Sequence, residues 1–198
     1  MEILENEKII ERLGKTLQEI AEKISINSNS LDSNVVLKLI EDILQIYDNN
    51  AMVFIYGAGR SGFIGRCFAQ RLMHLGIKSC FISDAITHRY TERDLLILIS
   101  GSGETTSPKS IANKAKEIGG RIALFTGNLK SNIAKISDTI IKIEGKSKDQ
   151  AISQETLAPY TSLFDISTLA ILDSIGGILM EILGVSEEDI DNRHASIE

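Results

Sequence analysis

Two stretches decide the fold of this chain: Gly57-Ala58-Gly59-Arg60-Ser61-Gly62 and Ser100-Gly101-Ser102-Gly103-Glu104-Thr105. Each stretch follows a short apolar run and precedes a segment with helical spacing. On neighbouring strands of a parallel sheet, such strand–loop–helix turns lie side by side at the carboxyl edge, where open α/β folds bind ligands. The second stretch offers hydroxyls and backbone N–H groups at a helix N-terminus, and these suit a phosphate. The sequence therefore predicts that the protein binds a small phosphorylated molecule.

The segments around these loops alternate between strand and helix. Short apolar or β-branched runs predict strands at 52–56, 78–82, 95–99, 121–125 and 139–143. Helical spacing separates most of them, at 61–74, 104–118 and 129–136. This alternation is typical of a parallel sheet with right-handed crossovers. The predicted fold class is α/β, a three-layer αβα arrangement around a parallel sheet of about five strands.

Helices are predicted at both ends of the chain. Apolar residues at three-to-four spacing predict one helix over 3–24, which 27–30 are expected to break, and a second over 31–47. A long helix is predicted over 159–183, and the residues from Ser186 to Asp189 predict a further, capped helix. We expect one domain over 1–198, in which 1–49 form a helical extension and 50–198 hold the α/β core and the C-terminal helices.

Composition and charge exclude several classes of protein. The net charge of −6 argues against a nucleic-acid surface, which is normally basic. Cys67 and Cys80 show no CxxC spacing, so we expect neither a disulfide scaffold nor a structural zinc site. The acidic N-terminus lacks the layout of a signal peptide, and the apolar segment 166–183 carries Asp173 and Glu181. We therefore expect a cytoplasmic protein with no membrane span and no nucleic-acid partner.

The first loop also fits a different binding signature. The Gly-x-Gly-x-x-Gly spacing over 57–62, with Asp84 closing the next strand, is the pattern of dinucleotide-binding folds. Two features favour a sugar phosphate instead. Arg60 and Ser61 are polar groups suited to a ligand, and the hydroxyls and glycines of 100–105 exceed what capping one helix requires. A sugar phosphate lying across two adjacent loops uses both, so the loops favour a sugar phosphate over a nicotinamide cofactor.

These motifs resemble those of the sugar isomerase (SIS) domain family, whose members bind phosphosugars for isomerisation or for regulation. Within the family, the chain is most similar to the 6-phospho-3-hexuloisomerases. The two loops carry the likeness together with the C-terminal Arg193-His194-Ala195-Ser196-Ile197-Glu198, which resembles an Arg-His-Ala-Asn-Leu-Glu ending. Length and element order match over essentially the whole chain. The resemblance implies a flavodoxin-like fold.

The resemblance also implies a site and a reaction. The phosphate would lie on Ser100, Ser102 and Thr105, with the backbone of Gly101 and Gly103, and the sugar against Gly59, Arg60 and Ser61. Enzymes of this kind interconvert 3-hexulose 6-phosphate and fructose 6-phosphate with neither metal nor organic cofactor. They assemble as dimers or tetramers whose sites borrow residues from a neighbouring subunit.

Few residues in this chain suit the chemistry of moving a carbonyl between C2 and C3. A base must remove a proton next to the carbonyl, donors must stabilise the enediolate, and a proton shuttle must help to open the ring. The candidate bases are Glu155 and Asp165. His194, in the C-terminal tail, is the candidate shuttle and would reach the neighbouring subunit's site. We expect Glu104 to serve as a first-turn helix charge and His74 to be structural.

Two segments depart from the family's pattern. Over 159–165, Pro-x-Gly-Thr/Ser-x-Phe-Glu becomes Pro-Tyr-Thr-Ser-Leu-Phe-Asp, so that Thr161 replaces a glycine and Asp165 a glutamate. Over 84–88, Glu-x-x-Thr-Pro becomes Asp-Ala-Ile-Thr-His. His88 therefore takes the proline position, either beside the site or in solvent.

Three functions stay open at this point: a C2–C3 isomerase, an aldose–ketose sugar-phosphate isomerase, and a regulatory module that binds a phosphosugar without turnover. The leading helices lack a basic recognition face, which favours an enzyme, since regulatory members carry a DNA-binding domain. The apolar faces of 166–183 predict contact between subunits in a dimer or tetramer. Formaldehyde fixation by the ribulose monophosphate pathway and its reverse, pentose phosphate supply, both fit.

Overall fold

The structure is a computed structural model that describes residues 6–145 and 156–196. The helices are α1 (Asn6–Ser30), α2 (Ser33–Asp48), α3 (Arg60–His74), α4 (Thr106–Ile118), α5 (Ser162–Leu183) and α6 (Glu187–Arg193). The strands are β1 (Val53–Gly57), β2 (Ser79–Phe81), β3 (Leu95–Ile99), β4 (Arg121–Thr126) and β5 (Thr139–Lys142). A 3₁₀ turn covers Ala134–Ile136.

The strands form a parallel sheet in the order β2-β1-β3-β4-β5. This is the flavodoxin-like order, whose switch point lies between β1 and β3. Gly57 at the end of β1 is paired with Ile99 at the end of β3. The loops that follow these strands therefore begin at adjacent positions on the carboxyl edge, as the sequence predicts, and the predicted α/β fold class is confirmed.

Helices cover both faces of the sheet. On one face, alternate strand residues such as Ile55 and Ile97 pack with α2, α3, α5 and α6. On the other face, Phe54 and Leu96 pack with α4 and the 3₁₀ turn. Since the central strands are buried on both sides, they are continuous apolar runs without alternation, as in Leu95–Ile99.

One polar stretch was expected to break the first helix, and that prediction is wrong. α1 continues to Ser30 because Asn27 has partners elsewhere in the fold. The side-chain amide of Asn27 donates to the Glu144 carbonyl at 2.8 Å, and its oxygen accepts from the Glu144 N–H at 2.6 Å. Asn27 is fully buried, so its side chain ties α1 to the chain just after β5.

Two further helix boundaries differ from the predictions. The segment 129–136 forms only the short 3₁₀ turn, because Asn128 and Ser131 accept backbone N–H groups that a longer helix would use. The long helix α5 begins at Ser162 and not at 159, since Tyr160 has a φ of +45° that no α-helix accommodates. The predicted cap of α6 is confirmed, with a reciprocal pair of bonds between Ser186 and Asp189.

α5 is long and apolar enough, by length and composition, to cross a membrane. The core helix of a soluble protein meets the same test. α5 packs against α1 and α3, and Leu172, Ile175 and Leu179 are buried in the core. This packing is compatible with a soluble protein.

Candidate active site

A cavity of about 230 Å³ lies at the carboxyl edge of the sheet, between the ends of β1 and β3. Its lining comes from the loop after β1 (58–61), the loop after β3 and the start of α4 (99–108), and the start of α5 (160–165). Pockets for drug-sized ligands are about 300–1,000 Å³, so this cavity suits a smaller molecule. The position is the one at which open α/β folds bind ligands.

The glycines of the first loop let α3 approach the end of β1. A Cβ atom on Gly57 would lie 2.7 Å from the backbone of Ser61, and one on Gly62 would lie 2.6 Å from the Gly57 carbonyl oxygen. Gly59 has a φ of +60° and starts the helix. The Gly-x-Gly-x-x-Gly spacing is thus explained by close packing and a tight turn, which do not identify the ligand.

The acidic residue of the dinucleotide pattern is engaged elsewhere. Asp84 accepts two hydrogen bonds from Arg66, at 2.8 and 3.2 Å, and both side chains are close to half exposed. The ribose hydroxyls of a dinucleotide would have to compete with this ion pair. The geometry around Asp84 therefore favours the smaller ligand.

The second loop is shaped by its own hydroxyls. The Ser100 Oγ accepts the Gly103 N–H at 3.2 Å, and the Ser102 Oγ accepts the Glu104 N–H at 3.2 Å. A hydroxyl that accepts one hydrogen bond can still donate another, so both remain useful to an anion. Gly103 has a φ of +64°, and a Cβ atom there would lie 2.1 Å from the Ser131 Oγ. Only glycine fits at this position.

Three helices start at the cavity with no side-chain cap in the part of the chain that the structure describes. Their N-cap residues are Gly59 for α3, Thr105 for α4 and Thr161 for α5, and none accepts a hydrogen bond from its own helix through its side chain. The first N–H groups of a helix carry partial positive charge and need acceptors. Their convergence makes the cavity attractive to an anion despite the net charge of −6.

Asp165 is the buried charge of the site. Its Oδ2 accepts from the Arg60 Nε at 2.9 Å and from the Thr161 Oγ1 at 2.7 Å, and its Oδ1 accepts from the Ser61 Oγ at 3.3 Å. The Asp165 side chain is 3% exposed and that of Arg60 is 62% exposed. The carboxylate therefore ties α5 to the start of α3 and holds the guanidinium group at the mouth of the cavity.

The structure brings most of the predicted site residues together. Gly59, Arg60, Ser61, Ser100, Gly101, Ser102, Thr105 and Asp165 all line the cavity. Gly103 shapes the same loop. Glu155 lies outside the described residues.

The structure places His194 away from the cavity of its own chain. Its ring stacks on that of His74, with centroids 4.4 Å apart, and His74 is the last residue of α3. α3 begins at the cavity and has 15 residues. At 1.5 Å per residue it carries His74 about 20 Å away, to the amino edge of the sheet. His194 thus does not reach the cavity of its own chain, while His74 is buried, in keeping with a structural role.

The structure corrects the expectation for Glu104 and decides between the two positions expected for His88. Glu104 was expected to be a first-turn helix charge, which is wrong: it precedes the N-cap of α4, and its carboxylate accepts from the N–H and the side-chain amide of Asn132. These bonds lower the pKa of Glu104. His88 is exposed and lines a depression at the amino edge with Lys78 and Asp94, so it lies in solvent, away from the site.

The sequence reasoning left Tyr160 and Thr161 out of the site, although both line the cavity. The signal was available, because both fall in the segment that departs from the family's pattern. A departure at a position that faces the cavity changes the side chains that contact the ligand. The position of Thr161 as the N-cap of α5 depends on the φ of +45° at Tyr160, which no local pattern indicates.

The SIS domain family model matches residues 45–169. This chain belongs to the SIS domain family. It is 38% identical to the 3-hexulose-6-phosphate isomerase of Methanocaldococcus jannaschii over 85% of this chain and 84% of the relative. It is 37% identical to the enzyme of the same name from Bacillus subtilis, over 93% of this chain and 100% of the relative. The predicted family resemblance is confirmed.

Solved structures agree with the sequence relatives. A Methanococcus jannaschii structure, from which a function of 3-hexulose-6-phosphate isomerase was inferred, matches with a TM-score of 0.81 and 35% identity, over 92% of this chain and 98% of that one. An Escherichia coli CFT073 protein, solved with a bound ligand, matches with a TM-score of 0.79 at 22% identity, over 97% of this chain and 100% of that one. At that identity the match shows the shared fold.

Proposed function

We propose that this protein interconverts 3-hexulose 6-phosphate and fructose 6-phosphate by moving the carbonyl between C2 and C3. The observation that carries the proposal is the convergence of three uncapped helix N-termini and a hydroxyl-rich loop on one cavity of about 230 Å³. That arrangement suits a small phosphorylated ligand. The names of relatives that are 37–38% identical supply the particular sugar.

The phosphate is proposed to bind at the start of α4. The hydroxyls of Ser100, Ser102 and Thr105 donate to its oxygens, and these residues line the cavity together with Gly101. The backbone of Gly103, at a φ of +64°, gives the loop its turn. No side chain of the N-cap residue caps the first N–H groups of α4, so they are available to the same phosphate. The sugar then lies against Gly59, Arg60 and Ser61.

In the proposed reaction a base removes the proton from C2 of 3-hexulose 6-phosphate and returns a proton to C3. The O2 hydroxyl becomes the new carbonyl, and the O3 carbonyl becomes a hydroxyl. Charge that develops on these oxygens needs fixed donors, a role for which the terminal N–H groups of Arg60 are placed, since Asp165 accepts from its Nε. Asp165 already accepts three hydrogen bonds, which fill three of its roughly four lone-pair positions and hold the carboxylate against Arg60, Ser61 and Thr161. We therefore assign Asp165 to holding Arg60 and Ser61, and keep Glu155 as the candidate base.

His194 is proposed to act as the proton shuttle in a neighbouring subunit, since the cavity of its own chain is out of reach. Exposed apolar side chains on α1 and α5 support a homo-oligomer, a dimer or a tetramer; they include Ile10 (67% exposed), Leu17 (57%) and Ile182 (54%). Burying such side chains against a second copy is favourable. We further propose a cytoplasmic, single-domain enzyme over 1–198.

The decisive experiment is proton NMR of fructose 6-phosphate incubated with the protein in D₂O. Deuterium appearing at C3 supports the proposed reaction, because the proton returned to C3 comes from solvent-exchangeable groups. Exchange at C1 indicates an aldose–ketose isomerase instead. Binding without exchange at either carbon rejects the proposal and favours a regulatory module or another sugar phosphate.

The shared site is tested by mixing two inactive variants. Glu155→Gln removes the candidate base, and His194→Ala removes the shuttle; each alone is expected to lower kcat by about 100-fold or more. A mixed oligomer contains some sites with an intact Glu155 from one chain and an intact His194 from the other. Activity that returns on co-refolding supports the shared site. If His194→Ala alone retains wild-type activity, the shuttle assignment is wrong.

A further inference from the structure

The turn before α5 holds Tyr160 in an unfavourable backbone conformation beside the cavity. Its φ is +45°, a left-handed value that a bulky residue rarely adopts. Such a conformation persists only where the surrounding structure holds it. Tyr160 and Thr161 both line the cavity, and the Tyr160 side chain is largely exposed at its mouth.

Two side chains of α1 bind the backbone just before this turn. The Glu19 Oε2 accepts the Ala158 N–H at 2.6 Å, and an Arg12 guanidinium nitrogen donates to the Leu157 carbonyl at 3.0 Å. Ala158 is 2% exposed, so the first of these bonds lies in a partly dry environment. Hydrogen bonds from an N–H to a carboxylate are among the stronger ones in proteins.

α1 is itself anchored to the core at its other end. Asn27 is buried and bonded to both backbone groups of Glu144, as described above. Helix α1 therefore joins the end of the sheet to the turn before α5.

Contacts continue from the turn into the site. Thr161, one residue after Tyr160, donates to Asp165, and Asp165 holds Arg60 at 2.9 Å. A shift of the Ala158 backbone would thus displace Tyr160 at the mouth of the cavity and Arg60 against the sugar. Misplacement of binding groups by about 1 Å can cost an enzyme up to about 100-fold in rate.

We propose that Glu19 is a positioning residue for the active site: from α1 it fixes the Ala158 backbone, so that Tyr160 closes over the sugar and Asp165 presents Arg60. The proposal rests on the proposed function for its substrate. Tyr160 supplies an aromatic face and a phenol at the mouth, where it can cover the sugar and bind one of its hydroxyls.

The kinetic test compares Glu19→Ala with Glu19→Gln and with Glu11→Ala. Glu19→Ala is expected to lower kcat/KM for fructose 6-phosphate by about tenfold, mainly through KM. Glu19→Gln keeps an oxygen that accepts the Ala158 N–H and should recover most of the loss. Glu11 is the matched control, since it lies on the same helix and pairs with Lys15. A Glu19→Ala enzyme within about twofold of wild type would overturn the proposal.

A double-mutant cycle separates positioning from general damage. If Glu19 acts through the turn, adding Glu19→Ala to Tyr160→Ala should cost less than about twofold more in kcat/KM. If the two losses multiply in full, Glu19 does not act through Tyr160 and the proposal fails.

Hydrogen exchange gives a readout that does not depend on activity. Glu19→Ala should speed exchange in the peptide 156–165, while Glu11→Ala should not. Unchanged exchange there rejects the tether whatever the substrate. If wild-type protein neither binds nor isomerises fructose 6-phosphate, the proposed function fails, and the exchange data still decide whether Glu19 holds the turn.

Discussion

Helices in this protein begin in two different ways. α2 and α6 have side-chain caps: Asp32 accepts the Asn34 N–H at 2.9 Å, and Ser186 and Asp189 form a reciprocal capping box. α3, α4 and α5 begin at the cavity without such caps. Hydroxyls are present at two of these three starts, at Thr105 and Thr161, yet neither caps its helix.

The difference shows where the fold leaves hydrogen-bonding capacity for a ligand. A side-chain cap contributes about 1 kcal/mol to stability, so three helices without such caps give up a measurable amount of folding stability. A bound anion can supply the missing acceptors and gain from all three helix ends at once. Donors that are fixed before the ligand arrives need no reorganisation when it binds.

The largest expected effect comes from filling the space beside Gly103, in the loop after β3. Gly103→Ala would place a Cβ atom 2.1 Å from the Ser131 Oγ at a φ of +64°. We expect a loss of about 4 kcal/mol in unfolding free energy, from left-handed strain together with overpacking. Binding of fructose 6-phosphate should be abolished, as measured by calorimetry. Gly14→Ala in α1 is the control: an added Cβ meets no described atom within 4 Å, and stability should be unchanged or slightly higher.

The ion pair at the mouth should respond unequally to the loss of either partner. Arg60→Met leaves the carboxylate of Asp165, which is 3% exposed, without its cation, and we expect about 2 kcal/mol lower unfolding free energy. Asp165→Asn leaves Arg60, which is 62% exposed, to be hydrated, and should cost less than about 1 kcal/mol. Urea denaturation measures both. Greater destabilisation by Asp165→Asn would contradict this account of the buried charge.

Substitution at a capped helix start should lower stability and leave affinity unchanged, whereas substitution at an uncapped start should lower affinity and leave stability nearly unchanged. Asp32→Ala removes a working cap and should lower unfolding free energy by about 1 kcal/mol without changing affinity for fructose 6-phosphate. Thr105→Ala should change stability by less than about 0.5 kcal/mol but lower affinity about tenfold, because in the proposed function this hydroxyl donates to the phosphate. Denaturation and calorimetry on both variants test the comparison directly. If Thr105→Ala leaves the affinity unchanged, the Thr105 hydroxyl plays no part in binding the ligand, and the comparison between the two kinds of helix start fails.

The smallest expected effect concerns the tie between Glu104 and Asn132. Hydrogen bonds from Asn132 lower the pKa of Glu104 from its ordinary value of 4.5, so folding favours the carboxylate. The stability that this tie contributes is present at neutral pH and is lost as the pH falls below 4.5 through the lowered pKa. Wild type should therefore be more stable than Glu104→Gln at pH 7, with a difference in Tm that shrinks in acid. A constant difference across this range would rule out the charge as its cause.

The sequence predicts the site well where the requirement is local. A glycine at a positive φ, or a hydroxyl next to a helix start, is recognisable from neighbours in the chain. The loops 57–62 and 100–105 are of this kind, and the structure places them side by side because β1 and β3 are adjacent in the sheet. Continuous apolar runs likewise identify the buried strands.

Predictions failed or fell short where a distant contact changes a local preference. Asn27 belongs to a polar stretch that favours a break, yet bonds to Glu144 keep it in a helix. Tyr160 takes a backbone conformation that its own sequence disfavours, next to residues held by Glu19 and Arg12. In both cases the partners lie far away along the chain.

The sequence by itself determined the α/β class, the strand–loop–helix turns and the hydroxyl- and glycine-rich character of the loop 100–105, because these depend on side-chain type and on spacing over a few residues. Tertiary structure alone decided that Asp165 holds Arg60, that α1 reaches the turn before α5, and that His194 lies on His74 and away from its own cavity. These contacts join residues far apart in the chain, and their geometry is set only when the elements pack.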